Sequence, residues 1–337
     1  MPEKRSLTVK RGPMGFFQVV PSAYCDSMSQ SEFSNKKIST NLMVDAVIGM
    51  IVGFGVGAMV SFSEELKINR QTYGSKSFSA AALQKHIFSV PKETVFSFAT
   101  AFAGVCAIEL SIIEGMKKWA KSQYGEENKS EIEVASAFVA GVSGALWLTP
   151  ADHILYRNVK YNQKPLLAIN YLWNIHPKVL WAGYTPMVAR EFIFSLTHFL
   201  LAEDFGRYLY NCMHPNHLLS GNDSIPEKSK HYQTAGNMIL GIPAALFTQP
   251  ADSLTRFMQM QAARGEPSNF KNAISYSMKE NGVKTFFDGV KVVYRGTAAR
   301  ALLATVGGTS VKLFYGNLKE TIEGNDHKKS YVQPRIG

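Results

Sequence analysis

Three uncharged runs, 46–63, 134–151 and 232–251, each end against an acid: Glu64, Asp152 and Asp252. Stretches of this length approach the roughly 20 residues that cross a bilayer core as a helix. In the second and third the boundary is the same tripeptide, Pro150-Ala151-Asp152 and Pro250-Ala251-Asp252, followed by Arg157 and Arg256. A chain that repeats an apolar run, a proline and an acid is constrained to repeat one structural unit. Shorter uncharged runs at 94–108, 192–202 and 301–311 alternate with the long ones. Six apolar segments with charged ends and polar connectors predict an all-α membrane protein whose helices share a wet interior. A mean hydropathy of −0.07 is too polar for a bundle that packs against lipid alone.

The repeat has a fixed frame. Gly141 and Gly241 each lie nine residues before the shared proline, and Gly53 lies nine residues before Phe62, which stands in the proline position of a first copy. Small residues let helix backbones approach closely in lipid, where no hydrophobic force draws helices together. The frame predicts six transmembrane helices in three pseudo-threefold repeats, at 41–120, 121–215 and 216–320. A polar tail precedes them at 1–40, read as disordered, and another follows at 321–337. The connectors inside each repeat read as short surface helices, the clearest being 270–283, which ends at a glycine stop signal.

Other classes find little support. Three widely spaced cysteines, Cys25, Cys106 and Cys212, give neither a disulfide framework nor a metal pattern. His214 and His217 alone make no metal site, and the sequence calls for no metal and no cofactor. The net charge of +10 suits an anionic substrate or anionic lipid, and no basic stripe interleaved with aromatics points to nucleic acid. No nucleophile–base arrangement or phosphate loop stands out, so no enzymatic step is assigned. The expected partners are a small anionic solute and membrane lipid, with the chain a monomer.

The arrangement over about 41–320 resembles the mitochondrial carrier family. That family ends each odd helix with Pro-x-Asp/Glu-x-x-Lys/Arg-x-Lys/Arg. Glu64 and Lys67 fit the first copy, Pro150, Asp152 and Arg157 the second, and Pro250 and Asp252 the third. Its second signature is Asp/Glu-Gly, four residues, aromatic, Lys/Arg, Gly, and "DGVKVVYRG" at 288–296 matches every fixed position. "HPKVLWAG" at 176–183 keeps only Trp181 and Gly183. The third copy is similar to ADP/ATP carriers through "TRFMQMQ" at 255–261 and "KENGVKTFFDG" at 279–289. The resemblance implies alternating-access transport in the mitochondrial inner membrane, with adenine nucleotide the leading substrate. Arg190-Glu191 departs from the nucleotide pattern and is more usual in amino-acid carriers of the family, which makes an amino-acid or carboxylate carrier the second reading. The departures mark an outlying member, and a bacterially encoded carrier delivered to host mitochondria is one form the resemblance leaves open. A carrier-like adaptor without transport is a third reading.

Roles follow for particular residues. Proline removes one helix hydrogen bond and clashes with the preceding turn, so kinks are expected at Pro150 and Pro250. Charges in a membrane are costly and normally face a cavity on the transport path. Glu64, Lys67, Gln71, Asp152, Arg157, Asp252 and Arg256 are therefore candidates for a gate, although Asp152 and Asp252 also fit simple interfacial caps. Only Lys67 occupies the family's first basic position, so the ring is expected to be loose, at about 0–1 kcal/mol per water-exposed pair. Glu114, Lys117, Asp204, Arg207, Tyr315 and Lys319 are candidates for an opposite gate. Between the two, Arg190, Glu191, Arg300, Arg295 and Lys92 are candidates for substrate binding, because a guanidinium grips carboxylate or phosphate through two bonds. Arg190 is satisfied either by a ligand or by Glu191. Arg295 and Arg300 are alternatives, since two registers fit the last helix.

Overall fold

The computed structural model describes residues 28–73, 90–124, 129–215, 217–219, 225–226 and 229–330. Residues 1–37 and 38–337 form separate units, and the first contributes only the opening of α1 to the described residues. The long elements are α1 (Met28–Tyr73), α2 (Lys92–Tyr124) and α3 (Lys129–Tyr161). A surface helix α4 (Pro165–Ile175) and a tight turn lead to α5 (Tyr184–Ser195), which continues through a π-helical turn into α6 (Ala202–Met213). Then come α7 (His231–Ala262), surface helices α8 (Phe270–Glu280) and α9 (Phe286–Val293), and a rod of α10 (Thr297–Leu302), a second π turn and α11 (Gly308–Ser330).

One expectation changes, at the start of the first helix. The first helix opens at Met28, so 28–40 is helical rather than tail, while 1–27 and 331–337 lie outside the described residues. Pro150 and Pro250 sit inside continuous helices that run on to Tyr161 and Ala262. In each case one missing hydrogen bond is outweighed by tertiary packing of the turns beyond it.

Six helical rods form a ring in chain order. α2 packs on α3, α3 on α5, α5 and α6 on α7, and α7 on α10. The ring closes where Tyr315 of α11 donates to Asp45 of α1 at 2.8 Å. The three frame glycines explain the closeness of the pairs. A Cβ on Gly53 would lie 2.8 Å from Ala103 of α2, one on Gly141 2.6 Å from the Phe192 nitrogen of α5, and one on Gly241 2.7 Å from Thr305 in the second π turn. Each frame glycine thus faces the rod that follows its own.

The inner face of α1 carries Ile48, Val52, Val56 and Val60 four residues apart, packed with Phe98, Val105, Leu148 and Val311. Its outer face exposes Val47, Met50, Ile51, Phe54 and Met59, so the helix is apolar on both sides, as a lipid-facing segment is. Among the described residues, Leu42–Gln71, Lys92–Ala120 and Glu131–Tyr161 are long and apolar enough to cross a membrane. The other three rods are not. α7 has the length, but Asn237, Thr248, Gln249 and Asp252 on its buried face lower its hydropathy. The run 192–202 falls across the α5–α6 junction and 301–311 across the second π turn, so neither is a single regular helix.

The surface helices form where expected. α8 covers most of 270–283, with the Asn269 side chain capping it. In α9, Thr285 and Asp288 make a reciprocal capping box, and these hydrogen bonds from Thr285 hold the Asp288 carboxyl below the usual carboxylate range. The acid of the second signature is thus a helix-capping residue here.

Gly241→Val is expected to lower the thermal midpoint of the detergent-purified protein by an amount equivalent to about 1–3 kcal/mol of overpacking. Gly55→Val is the control, because a Cβ there meets no atom within 4 Å. Equal shifts in the two variants would contradict the close-approach role.

Candidate functional site

Helical spacing decides which charges meet. Side chains three or four positions apart share one face of a helix, whereas five positions turn the side chain about 140° away. Lys67 follows Glu64 by three and Arg256 follows Asp252 by four, while Arg157 follows Asp152 by five. Lys67 Nζ accordingly lies 2.6 Å from Glu64 and 3.1 Å from Asp252 of α7. Arg256 reaches Asp152 of α3 at 3.1 Å and Glu64 of α1 at 3.9 Å. Arg157 turns out of the ring: it donates to Gln163 at 2.7 Å, and its guanidinium sits 3.7 Å over the Tyr171 ring.

Two glutamines complete the cluster. Gln71 donates to Asp252 at 2.9 Å and Gln259 to Asp152 at 3.2 Å. Each follows the acid of its own helix by seven residues, Glu64 and Asp252 respectively, so the offset of Gln71 in the sequence already pointed to Gln259.

Asp252 is the hub. Besides Lys67 and Gln71 it holds Arg190 of α5 at 2.7 Å and Arg300 of α10 at 3.3 Å, so donors from three other rods converge on one carboxylate. Arg190 also pairs with its neighbour Glu191, which answers the open question of its partner, and Arg300 donates to Thr248 at 3.0 Å. Glu64, Lys67, Asp152, Asp252 and Arg256 are all at most 5% exposed. The expectation of a loose ring fails, because it counted pairs as water-exposed and missed the two arginines arriving from the even rods. A buried charge left without its partner costs about 3–5 kcal/mol.

A cavity of about 60 Å³ adjoins this cluster, room for a few waters at most. All but one of the rods line it, with Glu64, Asp152, Glu109, Glu191, Arg190, Arg300 and His198 supplying its polar groups. Glu109 and His198 escaped the sequence reading.

Two of the proposed central residues are elsewhere. Lys92 is exposed at the first residue of α2. Arg295 pairs with Asn281 in the connector to α8, and its carbonyl accepts from Gln249 at 2.8 Å. The register of the last rod therefore favours Arg300.

At the far end, Asp45, which the sequence reading missed, gathers a second cluster that includes three of the opposite-gate candidates. It meets Tyr315 at 2.8 Å, Lys319 at 3.1 Å and Lys118 at 3.2 Å, and Lys319 also meets Glu114 at 2.7 Å. Nineteen residues separate Asp45 from Glu64, roughly 28 Å along α1 at the helical rise. Three candidates stay outside this cluster. Lys117 pairs with Glu133 at 3.9 Å, and Asp204 and Arg207 pair with each other on α6.

Residues 229–324 match the family model described as mitochondrial carrier protein, and this stretch holds Pro250, Asp252, Arg256 and Arg300. It is less than a third of the chain. No curated protein matches the chain. The match and the three apolar helices indicate an integral membrane protein and support solute transport in general.

Asp252→Asn is expected to destabilise the detergent-purified protein by about 3–5 kcal/mol, because it leaves three cations short of a buried partner. Arg157→Gln, outside the ring, is expected to cost under about 1 kcal/mol, mainly lost contact with Tyr171. Thermal melts of the two variants side by side decide it, and comparable losses would contradict the hub assignment.

Proposed function

We propose that the chain is a transmembrane carrier of a small anionic metabolite, working by alternating access through six spans arranged as three repeats. One observation carries this reading. Charges from α1, α3 and α7 meet in a buried cluster at one side of a central cavity, and a second charge cluster ties α1, α2 and α11 together some 28 Å away, by the helical rise. Two charged closures on either side of a small, mainly apolar cavity that carries a few charged groups are what a device needs that opens to one face at a time. Glu64, Lys67, Gln71, Asp152, Asp252 and Arg256 form the first gate, and Glu114, Tyr315 and Lys319 with Asp45 form the second. Arg190, Glu191 and Arg300 are the substrate-binding groups between them. The mitochondrial inner membrane is the proposed location, through the family match alone.

Cargo binding competes with the internal pairs. Arg190 and Arg300 are both occupied by Asp252, so an anion entering the cavity takes over those guanidinium donors and releases the hub. Release of Asp252 frees Lys67 and loosens the contact between α1 and α7. Binding and gate opening are then one event, as differential affinity for two states requires.

Adenine nucleotide remains the first substrate to test, on the sequence resemblance. In the structure the resembling stretch does other work: Arg256 belongs to the gate, Met258 and Met260 pack beside the core around Phe257, and Gln261 bonds the Asn272 carbonyl at 3.1 Å. An amino acid or carboxylate is the second reading, favoured by the Arg190–Glu191 pair in the cavity wall.

Protein reconstituted into liposomes loaded with ADP, aspartate or malate is expected to exchange one of these classes. Arg300→Lys is expected to slow that exchange about tenfold, the equivalent of ~1.4 kcal/mol in binding. Absence of flux with every probe would favour the adaptor reading.

A further inference from the structure

The charges around the cavity do not balance. Glu64, Glu109, Asp152, Glu191 and Asp252 are buried carboxylates, and Lys67, Arg190, Arg256 and Arg300 are the buried cations facing them. Every one of these cations is already in an ion pair with Glu64, Asp152, Glu191 or Asp252. Glu109 makes no ion pair among the described residues. It is 3% exposed, and its Oε1 has no hydrogen-bond partner.

Its position is built. Gly144 of α3 makes the space: a Cβ there would lie 2.7 Å from Glu109 Oε1. His198, in the first π turn, occupies a matching slot against Gly308 of α11, where a Cβ would lie 2.6 Å from the imidazole ring. His198 is 1% exposed, and neither ring nitrogen has a partner. Both side chains line the same cavity. A buried carboxylate with no ion pair and only the Ser195 hydroxyl beside it, and a buried imidazole with no hydrogen bond, are expensive unless protons or ligands come to them.

We propose that Glu109 is a proton site of the central cavity, with His198 beside the same cavity as its relay. The inference rests on the carrier reading in one respect, namely that the proton travels with the anion. The step moves one proton from water on the open face to Glu109 Oε1, and later returns it to water on the other face. No other bond forms or breaks. Protonation removes the excess negative charge, so an anion can approach Arg190 and Arg300 without facing an uncompensated Glu109.

The surrounding groups are compatible with this assignment. Cys106 lies one turn away on α2, Glu191 and Arg190 face Glu109 from α5, Asp152 faces the cavity from α3 and Glu64 from α1. Arg300 and Lys312 approach His198 from α10 and α11, with Lys312 Nζ 3.4 Å from the His198 carbonyl and Glu203, Asp204 and Lys117 in the field of its ammonium. Arg190 is the nearest cation to Glu109, and its guanidinium is committed to Glu191 and Asp252.

The test uses the full chain, wild type and Glu109→Gln, in lipid vesicles. Infrared difference spectra between acid and alkaline buffer are expected to contain the carbonyl stretch of a protonated carboxylic acid, absent from Glu109→Gln. Uptake of whichever of ADP, aspartate or malate the wild type carries is expected to rise several-fold under an inward acid gradient. Glu109→Gln is expected to lose that response. A thermal melt checks that the variant folds, and His198→Gln provides a second variant, expected to slow the gradient response without removing the carboxyl band. Lack of a Glu109-dependent band overturns the proposal, as does flux indifferent to the gradient. Loss of aspartate uptake alone in Glu109→Gln, with no gradient response in the wild type, would reassign Glu109 to the cargo's ammonium and also overturn it. A Glu109-dependent band without flux of any probe keeps the proton site and refutes the carrier reading instead.

Discussion

One carboxylate organises this molecule. Asp252 sits on a helix turn directly after Pro250 and draws in Lys67 and Gln71 from the first rod, Arg190 from the fourth and Arg300 from the last. Taking such charges out of water is costly, and their mutual attraction repays the cost only when every partner is present. A hydrophobic cluster of the same volume would hold the helices together at least as well. What the charged cluster adds is reversibility, since each pair has an alternative partner in water or in an anionic ligand. The arrangement suits a junction meant to open.

The packing serves that junction. Glycines at one offset, Gly53, Gly141 and Gly241, bring each odd rod tightly against the next even rod. Pairs joined this way behave as stiff units, because small-residue contacts leave no slack for rotation. Both even rods that carry an arginine into the cluster also contain a π turn, at Leu196–Leu201 and Leu303–Gly307. A π turn widens the helix locally and recurs at functional sites.

Much of this was legible in the chain. The apolar runs, the paired Pro-Ala-Asp tripeptides and the glycine frame identify the rods and their contacts, and the acids and Lys67 fall where the repeat assigns them. Other features were hidden by the same method. Reading uncharged runs treats a charge at the edge of a run as an interfacial residue, and so passes over Asp45 and Glu109. Both lie well inside helices, because α1 and α2 extend beyond their runs. His198 carries no formal charge in such a count and leaves no mark. Arg157 was misassigned by proximity in sequence: five residues after an acid is near along the chain and on the wrong side of the helix. The strength of the cluster was underestimated because the even-rod arginines were assigned to substrate alone.

The central claim is that the buried charge cluster, whose Arg256–Asp152 pair ties α7 to α3, holds these helices together at one end and releases them. Spin labels at Lys164 and Glu266, both exposed just beyond these helices, report that separation directly in a background without native cysteines. The account predicts two distance populations in lipid, with the longer one enriched when Asp152 is replaced by Asn. A single distance, unchanged by that replacement and by every candidate anion, would contradict it.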